Sequence, residues 1–168
     1  MVSVSELFSV ALDFEREGRR VYLEAARRAT DPVVQAVLSS LAQDEHVHET
    51  LIRQYYQALE RSEGWPQPNG EVFASIPARR RIQAIIEETA GAIGPDETFL
   101  GVYERARDLE QKSRDFYRAQ ADATQDRQLV KFFRFLAGTE QTHLEMLGML
   151  VDATREAAET ALRGGDKP

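Results

Sequence analysis

A chain of 168 residues is one domain's worth of protein, able to bury about 70% of the surface its unfolded form would expose. With 29% charged and 42% hydrophobic residues, and only 10 Gly and 6 Pro, it reads as an ordinary globular protein rather than a disordered one. A net charge of −7 argues against a nucleic-acid partner, and the absence of cysteine excludes disulfides, iron-sulfur ligation, zinc-ribbon sites and thiol catalysis.

The basic triplet Arg79, Arg80, Arg81 is too short to reverse the charge argument. Met1 to Glu6 carries no basic region of the kind that opens a signal peptide, and Asp13, Glu15, Arg16 and Glu17 interrupt the next segment of the chain. No stretch approaches the roughly 18 apolar residues of a membrane span. The expected address is therefore cytoplasmic, with no membrane partner.

Ser3 followed by Glu6 fits a capping box, and apolar residues then recur at helical spacing, which predicts a first helix over 3–29. Asp31 and Pro32 supply an N-cap and a first-turn proline for a second helix over 32–62. So short a connection makes the two helices an antiparallel hairpin. The segment 63–95 reads as a crossover, because Gly64, Pro66, Pro68, Gly70 and Pro77 are too dense for a long helix. A short amphipathic helix is expected within it, around Arg79 to Thr89, ended by Gly91, Gly94 and Pro95. Asp96 is expected to cap a third helix over 96–123, and Asp126 a fourth that runs to about residue 162. Residues 163–168 are expected to form a loose tail. The sum is an all-α fold: one domain over 1–168, an antiparallel four-helix bundle of two helical hairpins joined by a long crossover.

The two hairpins look like copies of one sequence. Glu15 pairs with Glu110, Tyr22 with Tyr117, Ala26 with Ala121, Leu41 with Leu136, Ala42 with Ala137, Glu45 with Glu140 and His48 with His143. Each pair is separated by 95 positions, as 110 minus 15 shows. A duplicated helical hairpin accounts for that regularity.

Four of the repeated residues are carboxylates and two are imidazoles, and the apolar seam of each helix shows which way they face. In the first helix Glu15 interrupts the series Phe8, Ala11, Gly18, Tyr22, Ala25 and Ala29, while Arg16, Glu17, Arg19, Arg20 and Glu24 lie off it. In the second, Glu45 and His48 share one stripe with Leu38, Leu41, Ile52 and Tyr55, and His46 and Glu49 turn away. Glu110 sits among Tyr103, Ala106, Ser113 and Tyr117 in the third helix, and Glu140 and His143 among Phe133, Leu136, Leu147 and Leu150 in the fourth. A lone Glu-x-x-His on a helix is commonly a solvated pair; two copies on apolar seams point to a shared core.

Burying four unpaired carboxylates would cost more than the about 5 to 15 kcal/mol of net stability a bundle has. Two divalent cations would balance four glutamates, with both histidines neutral. Glu15, Glu45, His48, Glu110, Glu140 and His143 are therefore the candidate metal ligands. A donor set without sulfur suits iron first, with manganese or zinc as alternatives. Tyr22 and Tyr117, one heptad beyond a glutamate, either hydrogen-bond a ligand carboxylate or pack as core aromatics with their hydroxyls satisfied elsewhere. Phe132, Phe133, Phe135 and the methionines read as packing residues, and His46 as exposed.

With these residues in place, the sequence resembles the ferritin-like di-iron proteins, and within them the rubrerythrin-like branch. The matching pattern is a single glutamate on each of two helices and Glu-x-x-His on the other two, each Glu-x-x-His preceded by Leu-Ala. The resemblance implies that Glu45 and Glu140 bridge two metals, that Glu15 and Glu110 are terminal ligands, and that His48 and His143 cap one metal each. Two departures matter. No cysteine-rich, rubredoxin-like segment is present, so electrons would come from an external donor such as a small redox protein. Arg107 stands three residues before Glu110, where a further seam glutamate would sit.

The expected activity is that of an oxidoreductase reducing peroxide or oxygen. Iron oxidation for storage or hand-off, and a non-enzymatic module in which metal holds the bundle together, are the alternatives. Trp65, Val72, Phe73 and Ile76 in the crossover offer apolar groups for a bundle face or a partner, and a homodimer is the expected assembly.

Overall fold

The computed structural model describes residues 4–61 and 99–164. They form four helices: α1 Val4–Arg28, α2 Pro32–Glu60, α3 Leu100–Ala123 and α4 Arg127–Gly164. α1 packs along α2 and α3 along α4, and the hairpins meet mainly through α1 against α3. The α1-α2 pair is antiparallel: Ser5 bonds Tyr56, Arg16 bonds Glu49 and Gln35 bonds Ala26, so positions rise on one helix as they fall on the other. The molecule is thus the antiparallel four-helix bundle that the sequence pattern implies.

Local chemistry explains where the helices start. The Asp31 carboxylate accepts from the Val33 and Val34 amides at 2.8 and 3.2 Å, with Pro32 occupying a first-turn position that has no amide to satisfy. Asp126 does the same for α4, accepting from Gln128 and Leu129 at 2.7 and 3.2 Å. Between the helices of the second hairpin, Thr124 is extended and its hydroxyl accepts from the Asp126 amide at 3.2 Å.

The helix ends differ from expectation by a few residues. α2 stops at Glu60 rather than 62, where the Arg61 amide closes the last turn on the Gln57 carbonyl at 3.1 Å. α3 begins at Leu100, with Phe99 preceding it and offering no side-chain cap. The last helix runs through Gly164, so Arg163 and Gly164 are helical rather than part of a loose tail. The caps assigned to Ser3 and Asp96, the crossover helix at 79–89, the apolar residues Trp65, Val72, Phe73 and Ile76, and residues 165–168 lie outside the described residues. Among the described residues, no helix is long and apolar enough to cross a membrane.

What positions the site is the division of the core into two apolar blocks. One gathers Tyr22, Ala25, Leu38, Leu41, Tyr103, Ala106, Leu147 and Leu150. The other gathers Phe8, Ala11, Ile52, Tyr55, Tyr117, Leu129, Phe133 and Leu136. On every helix the residues between the blocks include the repeated carboxylates and imidazoles. A polar layer therefore lies at mid-height of the bundle, with apolar packing on both sides of it.

Candidate metal centre

All six candidate ligands reach that layer. Glu15, Glu45, His48, Glu110, Glu140 and His143 are each at most 2% exposed, a burial that ionisable side chains do not tolerate singly. Glu15, Glu45, His48 and Glu140 place one donor atom each within 4.8 Å of the others, and Glu45, Glu110, Glu140 and His143 do likewise. Glu45 and Glu140 belong to both groups. The sharing follows from position, because these two glutamates project from the neighbouring helices α2 and α4 into the space between the pairs Glu15-His48 and Glu110-His143.

The imidazoles turn Nδ1 toward the carboxylates. His48 Nδ1 lies 3.1 Å from Glu15, 3.7 Å from Glu45 and 3.9 Å from Glu140. His143 Nδ1 lies 3.1 Å from Glu45, 3.5 Å from Glu110 and 3.6 Å from Glu140. The two rings face one another with centroids 5.6 Å apart.

Both tyrosines reach across the bundle. Tyr117 on α3 donates its hydroxyl to Glu15 on α1, and Tyr22 on α1 donates to Glu110 on α3. Of the two roles open to them, the structure shows hydrogen bonding to a glutamate of the layer, made on the opposite helix rather than on their own. Each tyrosine holds one carboxylate oxygen and leaves the other to face inward.

The electrostatics of the side chains split the glutamates into two classes. Burial pushes the Glu110 carboxyl up, but His143, Glu140 and the Tyr22 hydroxyl outweigh it and bring it down to about 2. Burial likewise opposes ionisation of Glu15, and His48 and Tyr117 again prevail, holding it below the ordinary value. Glu45 and Glu140 lie well above theirs, raised by burial and then by the Glu110 and Glu15 charges. Burial disfavours charge on His48 and His143, yet the carboxylates Glu15 and Glu110 respectively raise both imidazoles above the ordinary histidine value. Four carboxylates sharing one buried layer cannot all ionise unless cations join them.

Donor atoms left over supply a test of fit to metal. Glu110 Oε2, Glu140 Oε1 and His143 Nδ1 are buried with no hydrogen-bond partner among the described residues, and each belongs to a residue of the two four-donor groups. Carboxylate oxygen and imidazole nitrogen are what iron and manganese bind. The buried cluster is compatible with a di-iron site.

Three features near the layer escaped the sequence pattern. Gly18 lies so close to Glu45 that a Cβ there would stand 3.1 Å from its Cδ. Asp44, directly before a layer glutamate, faces His143 Nε2 at 3.8 Å. Its signal was available: one helix position is about 100° of rotation, which turns residue 44 toward a neighbouring helix. Glu49 is turned from the layer as expected but is buried on the bundle's flank, bonded to Arg16 at 3.0 Å and Arg53 at 2.5 Å. Burial raises its carboxyl and those two arginines lower it further, so it stays below the ordinary value. His46 is exposed, as expected.

No curated protein and no solved structure matches the chain at a significant level. A family model does: that of rubrerythrin, over residues 6–151, a span that reaches into all four helices and includes every residue of the polar layer. A four-helix bundle with a duplicated Glu-x-x-His, a buried Glu/His layer compatible with a two-metal site, and that match together make the chain a member of the rubrerythrin family, ferritin-like in fold.

Proposed function

We propose that the protein holds two iron ions in this layer and acts as an oxidoreductase that reduces peroxide or oxygen, using electrons from an external donor. The observation that carries the reading is the pair of four-donor groups sharing Glu45 and Glu140. In this reading Glu45 and Glu140, common to both groups, would be shared between the two metals, Glu15 and His48 would complete one position, and Glu110 and His143 would complete the other. A di-iron pair supplies two electrons at one place, which is what cleaving an oxygen-oxygen bond requires.

The protein's own contribution is positional and electrostatic. The apolar blocks above and below the layer exclude bulk water. Tyr22 and Tyr117 fix the orientations of Glu110 and Glu15. Because the chain has no cysteine, it has no thiolate-held relay within these 168 residues, and a separate redox protein completes turnover.

Anaerobic reconstitution with ferrous iron, then stopped-flow absorbance on mixing with peroxide and separately with oxygen, tests the reading. Rapid ferrous oxidation by peroxide or oxygen, abolished in Glu45→Ala, supports it. Iron that binds but stays ferrous with both oxidants contradicts it and favours a module that only carries metal.

A further inference from the structure

The internal repeat leads one to expect matching surroundings for the two imidazoles, and the structure departs from that at one point. His143 turns Nε2 toward the Asp44 carboxylate on α2, at the ion-pair distance of 3.8 Å. The repeat puts Thr139 where Asp44 stands, 139 minus 44 being the same 95 positions. Thr139 does not serve His48 in return, since its hydroxyl donates to the Leu136 carbonyl at 2.7 Å. His48 Nε2 is buried and has no hydrogen-bond partner among the described residues.

A carboxylate behind a ligating imidazole keeps the proton on the outer nitrogen, leaves the inner lone pair for metal, and makes that lone pair a better donor. Among the described residues, His143 alone of the two imidazoles has such a carboxylate. We infer that Asp44 makes the two metal positions unequal, so that the Glu110-His143 position binds first and more tightly than the Glu15-His48 position. The inference rests on the dinuclear reading above. Asp44 is a positioning residue, acting through His143 and not on the metal itself. Its mirror image, Thr139, marks the position through which the weaker site could be strengthened.

Anaerobic titration with cobalt(II) alone, followed by calorimetry and by the visible absorption of the bound ion, tests this. The wild-type chain should bind in two steps whose affinities differ by about 10- to 100-fold. Asp44→Asn should weaken the first step and leave the second where it was, so the steps converge. Thr139→Asp should tighten the second step, which a merely structural role for residue 44 would not produce. Circular dichroism checks that both variants keep their helices; if Asp44→Asn does not fold, Thr139→Asp decides alone. Two steps of equal affinity in wild type, or steps unmoved by these substitutions, would overturn the inference while leaving the dinuclear site standing. A chain that binds no cobalt at all would overturn the metal reading and this inference with it.

Discussion

At position 18 the difference between a hydrogen and a methyl group separates what the helix prefers from what the polar layer needs. Glycine inside a helix costs about 0.5–1 kcal/mol relative to alanine, so α1 would be more stable with alanine there. A Cβ at that place, however, meets Glu45 Cδ at 3.1 Å and Oε1 at 3.2 Å, close enough that the carboxylate must shift. Gly18→Ala should therefore leave the metal-free bundle at least as stable as wild type while weakening metal binding about 10-fold, read by thermal unfolding beside a metal titration. Unchanged metal affinity would mean that Glu45 does not use the geometry seen here. The protonation of the layer gives a second expectation. Glu45, Glu140, His48 and His143 all have raised values, and each must give up any proton it holds before ligating. Metal loading in weakly buffered solution should release protons, detectable with an indicator dye, and affinity should fall as pH falls. For the metal-free chain the sign is opposite. Groups with raised values add stability that is present below their unfolded values and is lost as pH rises through the folded ones. The chelator-treated protein should therefore unfold more easily as pH climbs from neutral to alkaline. Glu15 and Glu110, with lowered values, contribute the stability lost on acidification.

The helices themselves were largely legible in the sequence because their signals are short-range. Asp31-Pro32 and Asp126 announce helix starts through side chains that reach amides two and three residues on, and the structure shows those bonds. Asp31→Ala should cost about 0.5–2 kcal/mol of stability, measured by urea unfolding, because two α2 amides lose their acceptor. A cost near zero would mean that water satisfies those amides equally well. The helix ends were less readable. The end of α2 at Glu60 carries no glycine or proline signal, and α4 includes Arg163 and Gly164, just beyond the apolar period that set its expected end. The six layer residues were found because each breaks an apolar seam at the position its repeat partner also breaks. Asp44 and Gly18 were not, since one sits off the seam and the other extends it. What makes them matter is contact with a different helix, which a pattern along one helix does not encode.

Across the whole molecule, the polar layer works only because two apolar blocks enclose it. Phe8, Ile52, Phe133 and Leu136 on one side, and Leu38, Leu41, Leu147 and Leu150 on the other, are all at most 1% exposed. They supply the stability that lets the chain carry ionisable groups at its centre, and they keep water from screening those groups. Duplicating one hairpin gives two such half-layers, and packing α1 against α3 joins them into one. The flank cluster of Glu49 with Arg16 and Arg53 lies outside this arrangement and contributes at the surface. Whether the layer exists to hold two metals is tested most directly by metal content per chain after anaerobic ferrous reconstitution and desalting. The expected result is two irons per chain, sharply reduced in Glu45→Ala and in Glu140→Ala because each glutamate belongs to both donor groups. Substoichiometric iron, unchanged by either substitution in a chain that remains helical, would contradict a dinuclear role for the layer.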